Sequence, residues 1–324
     1  MLARDAESLF WIGRYLERAE DTARLLDVTY HGLLETTAAE ERAAWGGVLA
    51  AVGLRGTFDE TERPLTAAMV SEFLVVDRDN RGSILASVEQ ARENARTVRG
   101  WLSTELWGAI NSFCLQLRGR NLKLDLEFQP HELYGFVRRE CQAVAGMAHE
   151  TMTRDEGWRF LELGWHLERA AWACRLLRVR QGQLASAGFH EWVGTLRSAS
   201  ALEAYRRTHR ASMAPADVVA FLLLSRTFPR SVLHAVRTAE ESLTLLSPPH
   251  GELSRPLRLL GRLRADLEYA EVGELMAGDL SAELIRVEAA IAQVGTAVGL
   301  QYFTNSHEFD MHTLKVLPGE QWAS

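Results

Sequence analysis

Helix breakers are scarce in the first two thirds of this 324-residue chain, where Pro64 and Pro130 are the prolines that precede residue 215. Because proline is the strongest helix breaker, long helices are permitted throughout this region. Long apolar runs are scarce as well. The longest, residues 218–224, has seven residues, whereas a membrane-spanning helix needs about 20. We therefore expect no membrane span.

Cysteine and excess positive charge are also lacking. The three cysteines, Cys114, Cys141 and Cys174, are odd in number and widely spaced, which is typical of buried thiols in a reducing compartment. A net charge of -7 argues against a general affinity for nucleic acid or for anionic membranes. Charged residues interrupt the N-terminus before the apolar stretch of a signal peptide is complete, so we expect a cytoplasmic protein.

The common motifs of enzyme sites are absent too. The sequence has no GxxxxGKS or GxxxxGKT, no GxGxxG after a strand, no GxSxG and no CxxC, and these are the motifs of the usual nucleotide, hydrolase and redox sites. A di-iron bundle needs ExxH on two helices, and the chain has no ExxH. The pair Glu162 and His166, and HEFDMH at 307–312 in the tail, are isolated metal signals. We expect no cofactor and no metal; whether the chain is an enzyme stays open.

Apolar residues recur at helical spacing along most of the chain. Those at positions 9, 12, 16, 19, 23, 26 and 30 predict a helix over about 5–35. The same spacing predicts helices over 84–102, 133–147, 158–184, 232–246, 257–276 and 284–298. Residues 121–128, NLKLDLEF, instead alternate polar and apolar residues, which is the period of a strand. With no second strand nearby, we expect an extended connection there.

An internal repeat organises these helices. Shifted by 151 residues, GRYLERAEDTARLLDV (13–28) aligns with GWHLERAAWACRLLRV (164–179), and nine of sixteen positions are identical. Shifted by 148 residues, FLVVDRDNRGSILASV (73–88) aligns with FLLLSRTFPRSVLHAV (221–236). The two offsets indicate a duplicated unit of about 150 residues.

Each repeat is expected to open with a helix that carries Glu-Arg, and a later helix is expected to be capped by Ser83 or Ser231. Every helix has an apolar stripe that must be covered. We therefore predict an all-α fold, a pseudo-symmetric helical bundle built from repeat one (about 1–150) and repeat two (about 151–303), followed by a tail at 304–324.

The charged residues that recur in both repeats are the candidate site. They are Glu17, Arg18 and Arg24, with their counterparts Glu168, Arg169 and Arg175. Neighbouring residues of a helix point about 100 degrees apart, so the glutamate and arginine of one pair need partners elsewhere. One interpretation is a buried clamp, in which the glutamate of each repeat meets the arginine of the other. The alternatives are an open cleft whose arginines bind a carboxylate or phosphate, and a solvated surface.

Further polar residues are candidates for holding a substrate. They are Arg78, Asn80, Arg96, Arg99, Arg154, Arg226 and Arg230. Arg96 and Arg99 share a helix face by their spacing. Around Arg154, the sequence TRDEGW (153–158) has a simpler interpretation, because acidic residues suit the positive N-terminal end of a helix.

The motifs LERAE, RLLDV, DRDN, ENARTVR, RDEGW, ALEAYRR and FPRSV follow one another in this order. In this combination the chain resembles the bacterial Alpha-E domain family, an all-helical family named for an ER motif, over about residues 1–303. The resemblance implies a cytoplasmic protein encoded beside, or fused to, a circularly permuted ATP-grasp protein, often with a transglutaminase-like protein nearby. It also implies that the ER motif is Glu17-Arg18 and, through the repeat, Glu168-Arg169.

From this resemblance we expect an accessory or scaffold subunit that works with the ATP-grasp ligase in peptide or amide-bond synthesis or tagging, its arginines holding an acidic or peptide substrate. The rival hypothesis is a stand-alone enzyme of acyl transfer or peptide modification, with Glu17 or Glu168 as general acid or base. A third is a purely structural helical homodimer.

Overall fold

A computed structural model describes residues 1–32, 37–181, 188–210, 212–247 and 253–303. Within these ranges the chain is all-α, with sixteen α-helices, one short 3-10 helix and no strand, which confirms the predicted fold class. The chain divides into two compact units, Met1–Trp165 and His166–Ser324, and the division falls inside α9, Glu156–Gln181. No helix of the described ranges is both long enough and apolar enough to cross a membrane.

The first unit contains the helices before α9. They are α1 (Ala3–Gly32), α2 (Ala38–Val52), α3 (Arg55–Asp59), α4 (Ala67–Val75), α5 (Ile84–Thr97), a 3-10 turn (Arg99–Trp101), α6 (Thr104–Gly119), α7 (Leu122–Phe128) and α8 (Pro130–Thr151). The core forms where α1 packs against α5 and α8, and where α6 packs against the same two helices. Leu9, Leu16 and Leu26 of α1 are fully buried there, as the apolar spacing of this helix predicts.

The second unit contains the helices after α9. They are α10 (Phe189–Ser198), α11 (Leu202–His209), α12 (Pro215–Leu224), α13 (Val232–Leu246), α14 (Arg255–Glu268), α15 (Val272–Ala277) and α16 (Leu280–Tyr302). Here α14 packs against both α13 and α16. The corresponding helices of the first unit, α5, α6 and α8, pack in the same pattern.

Helix boundaries follow the offsets of the predicted repeat. Ser83 precedes α5 and Ser231 precedes α13, and their hydroxyls accept hydrogen bonds at 3.2 Å from the backbone N–H groups of Ala86 and His234. The prediction that both serines are N-caps is confirmed. The starts of α8 and α16 lie 150 residues apart. The internal duplication itself stays a prediction, which these boundaries fit.

Two glycines mark the place where α1 crosses the first half of α9. A Cβ atom on Gly13 would overlap the carbonyl oxygen of Leu161, and a Cβ atom on Gly164 would overlap the carbonyl oxygen of Phe10. The contacts are reciprocal, because the 151-residue offset that relates Gly13 to Gly164 also relates Phe10 to Leu161. The absence of a side chain at both positions therefore lets the two helix backbones touch.

The expectation of an extended connection at 121–128 is wrong, because these residues form α7. The side-chain oxygen of Asn121 caps this helix by accepting from the N–H of Leu124. Leu122 is buried, whereas Leu124 is 50% exposed and Phe128 is 70% exposed. The apolar residues of 121–128 are therefore not all buried on one face. Their alternation with polar residues did not indicate a strand.

Two other predicted helices differ from the structure in their boundaries. The helix predicted over 257–276 is two helices, α14 and α15. The helix predicted over 84–102 ends at Thr97 and is followed by the 3-10 turn. All three cysteines are buried and free, as predicted. The predicted extensions of the ER helices to residues 35 and 184, and the tail motif at 307–312, lie outside the described residues.

Candidate functional site

The first ER helix, α1, buries a long series of charged side chains. Arg14, Glu17, Glu20, Asp21, Arg24 and Asp27 are each at most 6% exposed. An ion removed from water loses several kcal/mol of hydration free energy unless other groups replace that solvation. This series therefore requires compensating partners inside the fold.

Glu20 is the centre of one buried group of these side chains. The guanidinium of Arg24 donates to a carboxylate oxygen of Glu20, one helical turn away. Gln142 of α8 donates to the same oxygen at 3.1 Å. Arg24, predicted to contact a substrate, is thus buried and engaged in an ion pair on its own helix.

The nearby thiol of Cys141 is affected by its burial and by the charges around it. Burial raises the pKa of Cys141 on α8 well above its ordinary value, and the carboxylates of Glu20, Glu17 and Asp21 raise it further. The three carboxylates of α1 thus act electrostatically on this thiol. Their charge and the burial of Cys141 both favour its protonated form.

The second ER helix has a smaller buried group. Arg175 of α9 is 3% exposed and lies 3.8 Å from the carboxylate of Glu168 and 3.8 Å from that of Glu288 on α16. Arg178 approaches Glu288 to 3.5 Å. Arg175 therefore stands between two buried carboxylates. This second candidate arginine is also engaged inside the fold.

The ER residues themselves have the same burial on α1 and on α9. Glu17 is 3% exposed and Glu168 is 2% exposed, while Arg18 and Arg169 are half-buried. The guanidinium of Arg18 lies 5.8 Å from the ring centre of Tyr15, within range of a cation–π contact. Burial of both glutamates removes the solvated surface as an interpretation for them. The cross-pairing of each glutamate with the arginine of the other repeat stays a prediction.

Residues 1–303 match the Alpha-E family, which is described as a predicted alpha-helical domain with a conserved ER motif. This match covers nearly the whole chain. The chain belongs to the Alpha-E family.

Relatives of this Alpha-E protein include uncharacterized proteins of Mycobacterium bovis and Mycobacterium tuberculosis, each 28% identical over 310 residues. The alignments cover 89% of this chain but 35% of the relatives. The chain thus spans about a third of the length of these curated relatives. No solved structure matches it.

Asn80 has a structural role in the Alpha-E fold. It is 4% exposed. Its side-chain amide donates to the carbonyl of Phe73 at 2.9 Å, and its side-chain oxygen accepts from the N–H of Gly82 at 2.9 Å. The amide therefore holds the loop between α4 and α5 closed, and both ends of the side chain are used in doing so.

Arg78 and Arg226 occupy equivalent surface grooves. Arg78 lines a groove formed by α5 and α6, together with Glu89 and Arg118. Arg226, which aligns with Arg78 in the predicted repeat, lines a groove formed by α13 and α14 together with Arg237. Both guanidinium groups are exposed and each makes an ion pair, Arg78 with Glu89 at 2.9 Å and Arg226 with Glu268 at 3.3 Å.

The two grooves carry the same ion pair with its charges exchanged. In the first, Glu89 of α5 faces Arg118 of α6 at 3.3 Å. In the second, Arg237 of α13 faces Glu268 of α14 at 2.9 Å. The offsets of 148 and 150 residues relate Glu89 to Arg237 and Arg118 to Glu268. A second exchanged pair joins Asp27 to Arg138 at 3.0 Å and Arg178 to Glu288 at 3.5 Å.

Reversing the first pair tests whether the two grooves are equivalent. Arg118→Glu alone should destabilise the protein by about 0.5–1 kcal/mol, because it sets a second carboxylate against Glu89 in a partly exposed site. Adding Glu89→Arg should restore most of this loss, since Arg78 can then pair with the new carboxylate as Arg226 pairs with Glu268. Urea denaturation of both variants measures the effect. Additive losses in the double variant would contradict the equivalence.

The remaining predicted arginines lie apart from the buried groups of α1 and α9. Arg96 is exposed and bonds to Glu93 at 2.9 Å. Arg99 lies 4.9 Å from the ring centre of Trp107. Arg154 stacks on Trp158 at 3.8 Å and donates to the carbonyls of Met152 and His149 at the end of α8, which is a structural role. Arg230 is half-buried at the loop before α13.

Sequence reasoning missed a cluster of three side chains at one end of the first unit. They are Asp27 and His31 of α1, and His131 at the start of α8, whose candidate ligand atoms all lie within 4.8 Å of one another. The i, i+4 spacing of Asp27 and His31 is visible in the sequence. His131 is 104 residues away from Asp27, and only the folding of α8 against α1 places it there.

Proposed function

We propose that this Alpha-E domain is an accessory or scaffold module of a circularly permuted ATP-grasp ligase, acting in peptide or amide-bond synthesis or tagging. The main support is the length of the relatives. Because the match covers 35% of them, the domain is joined in those proteins to about twice its own length of further chain. A domain that occurs covalently attached to other parts suits the role of a partner.

The sequence motifs and the burial of the two glutamates agree with an accessory role. It contains no nucleotide-binding motif, and an ATP-grasp enzyme carries its own nucleotide chemistry. Glu17 and Glu168, the residues of the stand-alone enzyme hypothesis, are at most 3% exposed, and neither lines the groove of Arg78 or that of Arg226. A general acid or base must lie within hydrogen-bond reach of the substrate, so their burial favours the accessory role.

Within that role, the two grooves are the places where a substrate carboxylate can bind. Each exposes several arginines beside Arg78 or Arg226, and an arginine already in an exposed ion pair can exchange its partner for a ligand carboxylate at small cost. We therefore assign the substrate-holding role to these grooves and a structural role to the buried Arg24 and Arg175.

Co-purification with the neighbouring ATP-grasp protein tests the proposal. We expect a complex on size-exclusion chromatography, and ATP-dependent ligation by the partner that rises on the order of tenfold when this chain is added. Arg78→Gln with Arg226→Gln should remove most of the gain while leaving the complex intact. Arg286→Gln, which removes an exposed and ion-paired arginine outside the grooves, is the matched control.

Other outcomes decide between the alternatives. Absence of a complex together with an unchanged ligation rate would refute the accessory role. Substrate turnover by the purified chain alone, lost in Glu17→Gln at unchanged stability, would favour the stand-alone enzyme. A homo-oligomer that ignores the ATP-grasp protein, and a complex with a transglutaminase-like protein instead, are separated by the same chromatography.

A further inference from the structure

The cluster of Asp27, His31 and His131 converges on one carboxylate oxygen. Nδ1 of His131 lies 2.6 Å from Oδ1 of Asp27, and Nδ1 of His31 lies 3.4 Å from the same oxygen. The two imidazole rings stand edge to face, with centroids 4.6 Å apart. Two imidazoles therefore meet at a single acidic oxygen, although one protonated histidine would be enough to pair it.

These separations are close to those of ligands around a small ion. Zinc binds histidine nitrogen and carboxylate oxygen at about 2.0–2.2 Å, and its tetrahedral geometry places neighbouring ligand atoms about 3.4 Å apart. The distance from His31 to the aspartate oxygen, 3.4 Å, equals this value, and that from His131, 2.6 Å, is shorter. The candidate ligand atoms of all three side chains lie within 4.8 Å of one another, and both imidazole rings are exposed.

The carboxylate of Asp27 is also oriented by a neighbouring charged group, as metal ligands often are. The second oxygen of Asp27 forms an ion pair with the guanidinium of Arg138 at 3.0 Å, while the first oxygen is the one that lies near the histidines. An outer contact of this kind to a charged group fixes the orientation of a ligand in a metal site. Nδ1 of His31 lies 2.9 Å from the backbone carbonyl oxygen of Asp27, and this contact is given up when the same nitrogen binds the ion. Asp27 is 5% exposed, so its position is set by the packing of α1.

We propose that Asp27, His31 and His131 bind one divalent transition-metal ion of the zinc class. Two imidazoles and one carboxylate are ligands of zinc, cobalt and nickel rather than of magnesium or calcium. Three protein ligands leave at least one coordination position open. The histidine side chains are 47% and 57% exposed, so water or a substrate group can reach that position.

The aligned positions of the second predicted repeat lack these ligands. The repeat offsets place Arg178, Gly182 and Ser281 at the positions of Asp27, His31 and His131, and none of these supplies a carboxylate or an imidazole. The proposal therefore requires one ion for each chain. This stoichiometry does not depend on the proposed ATP-grasp partner.

Titration of the full chain with Co²⁺ and Zn²⁺ tests the site. We expect one equivalent of Co²⁺ to give the visible absorption of a bound ion, and Zn²⁺ to displace it. His131→Ala should weaken binding by more than the about 10- to 100-fold that loss of an outer-shell contact causes. Arg138→Gln should weaken it within that range. Both positions lie near the surface, and a circular dichroism spectrum checks that the variants are folded.

Two control variants keep the result specific. His190→Ala removes an exposed histidine of α10 and should leave binding unchanged. His307→Ala with His312→Ala removes the histidines of the tail motif and should also leave one equivalent bound. If the double tail variant abolishes binding, or if His131→Ala retains full affinity, the proposed site is wrong.

Discussion

Replacing Gly13 or Gly164 with alanine is expected to destabilise the protein by about 3 kcal/mol, at the upper end of what overpacking costs. The added methyl of Gly13→Ala would overlap the carbonyl oxygen of Leu161 and would lie 2.9 Å from the backbone N of Trp165. That of Gly164→Ala would overlap the carbonyl oxygen of Phe10. The obstacle is backbone on a packed helix, which cannot rotate away as a side chain can. The helices must therefore separate.

A glycine inside another helix, Gly108, provides a matched control for this prediction. Gly108 lies on α6, and a Cβ atom there would meet nothing within 4 Å. Gly108→Ala should therefore stabilise the protein by up to about 1 kcal/mol, because alanine is the better helix former. Urea denaturation of the three variants measures the contrast. Equal stability of Gly13→Ala and Gly108→Ala would show that the helices do not touch at Gly13.

This crossing illustrates what a single sequence can and cannot predict. Gly13 and Gly164 align in the two repeats, and glycine inside a helix is costly, so their alignment signals a shared constraint. The sequence does not say which backbone lies opposite each glycine, because that depends on the packing angle of two whole helices. Helix positions and serine caps were predictable for the opposite reason, since they depend on residues within a few positions of one another.

For the candidate site, too, the sequence did not indicate contacts between residues far apart in the chain. The repeat selected Arg24 of α1, with a buried network and a substrate cleft as alternatives, but its partner, Glu20, was not considered. Glu288, which compensates Arg175, belongs to α16 and lies 113 residues further along the chain, so nothing local indicates it. Sequence reasoning thus selected arginines of the ER helices as substrate-binding candidates, and the structure shows Arg24 and Arg175 buried in ion pairs.

The second large effect is expected at Arg175. Arg175→Met should destabilise the protein by about 3–5 kcal/mol, the usual result of removing one partner from a buried ionic group. Glu168 and Glu288 each lie 3.8 Å from this guanidinium, so its loss removes the cation between two buried carboxylates, of which Glu288 keeps Arg178 at 3.5 Å. Methionine keeps most of the side-chain volume, which limits the contribution of an empty cavity. Thermal and urea denaturation measure the loss.

A double variant shows whether the loss comes from charge. Adding Glu168→Gln to Arg175→Met removes one of the two carboxylates, so it should recover a substantial part of the stability, and the effects of the two single variants should be non-additive by more than about 0.5 kcal/mol. Arg286→Met is the comparison, because Arg286 makes ion pairs with Glu283 and Asp266 on the same unit but is 46% exposed. Its removal should cost at most about 1 kcal/mol. If Arg175→Met costs no more than Arg286→Met, the buried group of α9 is not held by charge, and Arg175 becomes available for the substrate-binding role that the sequence first suggested.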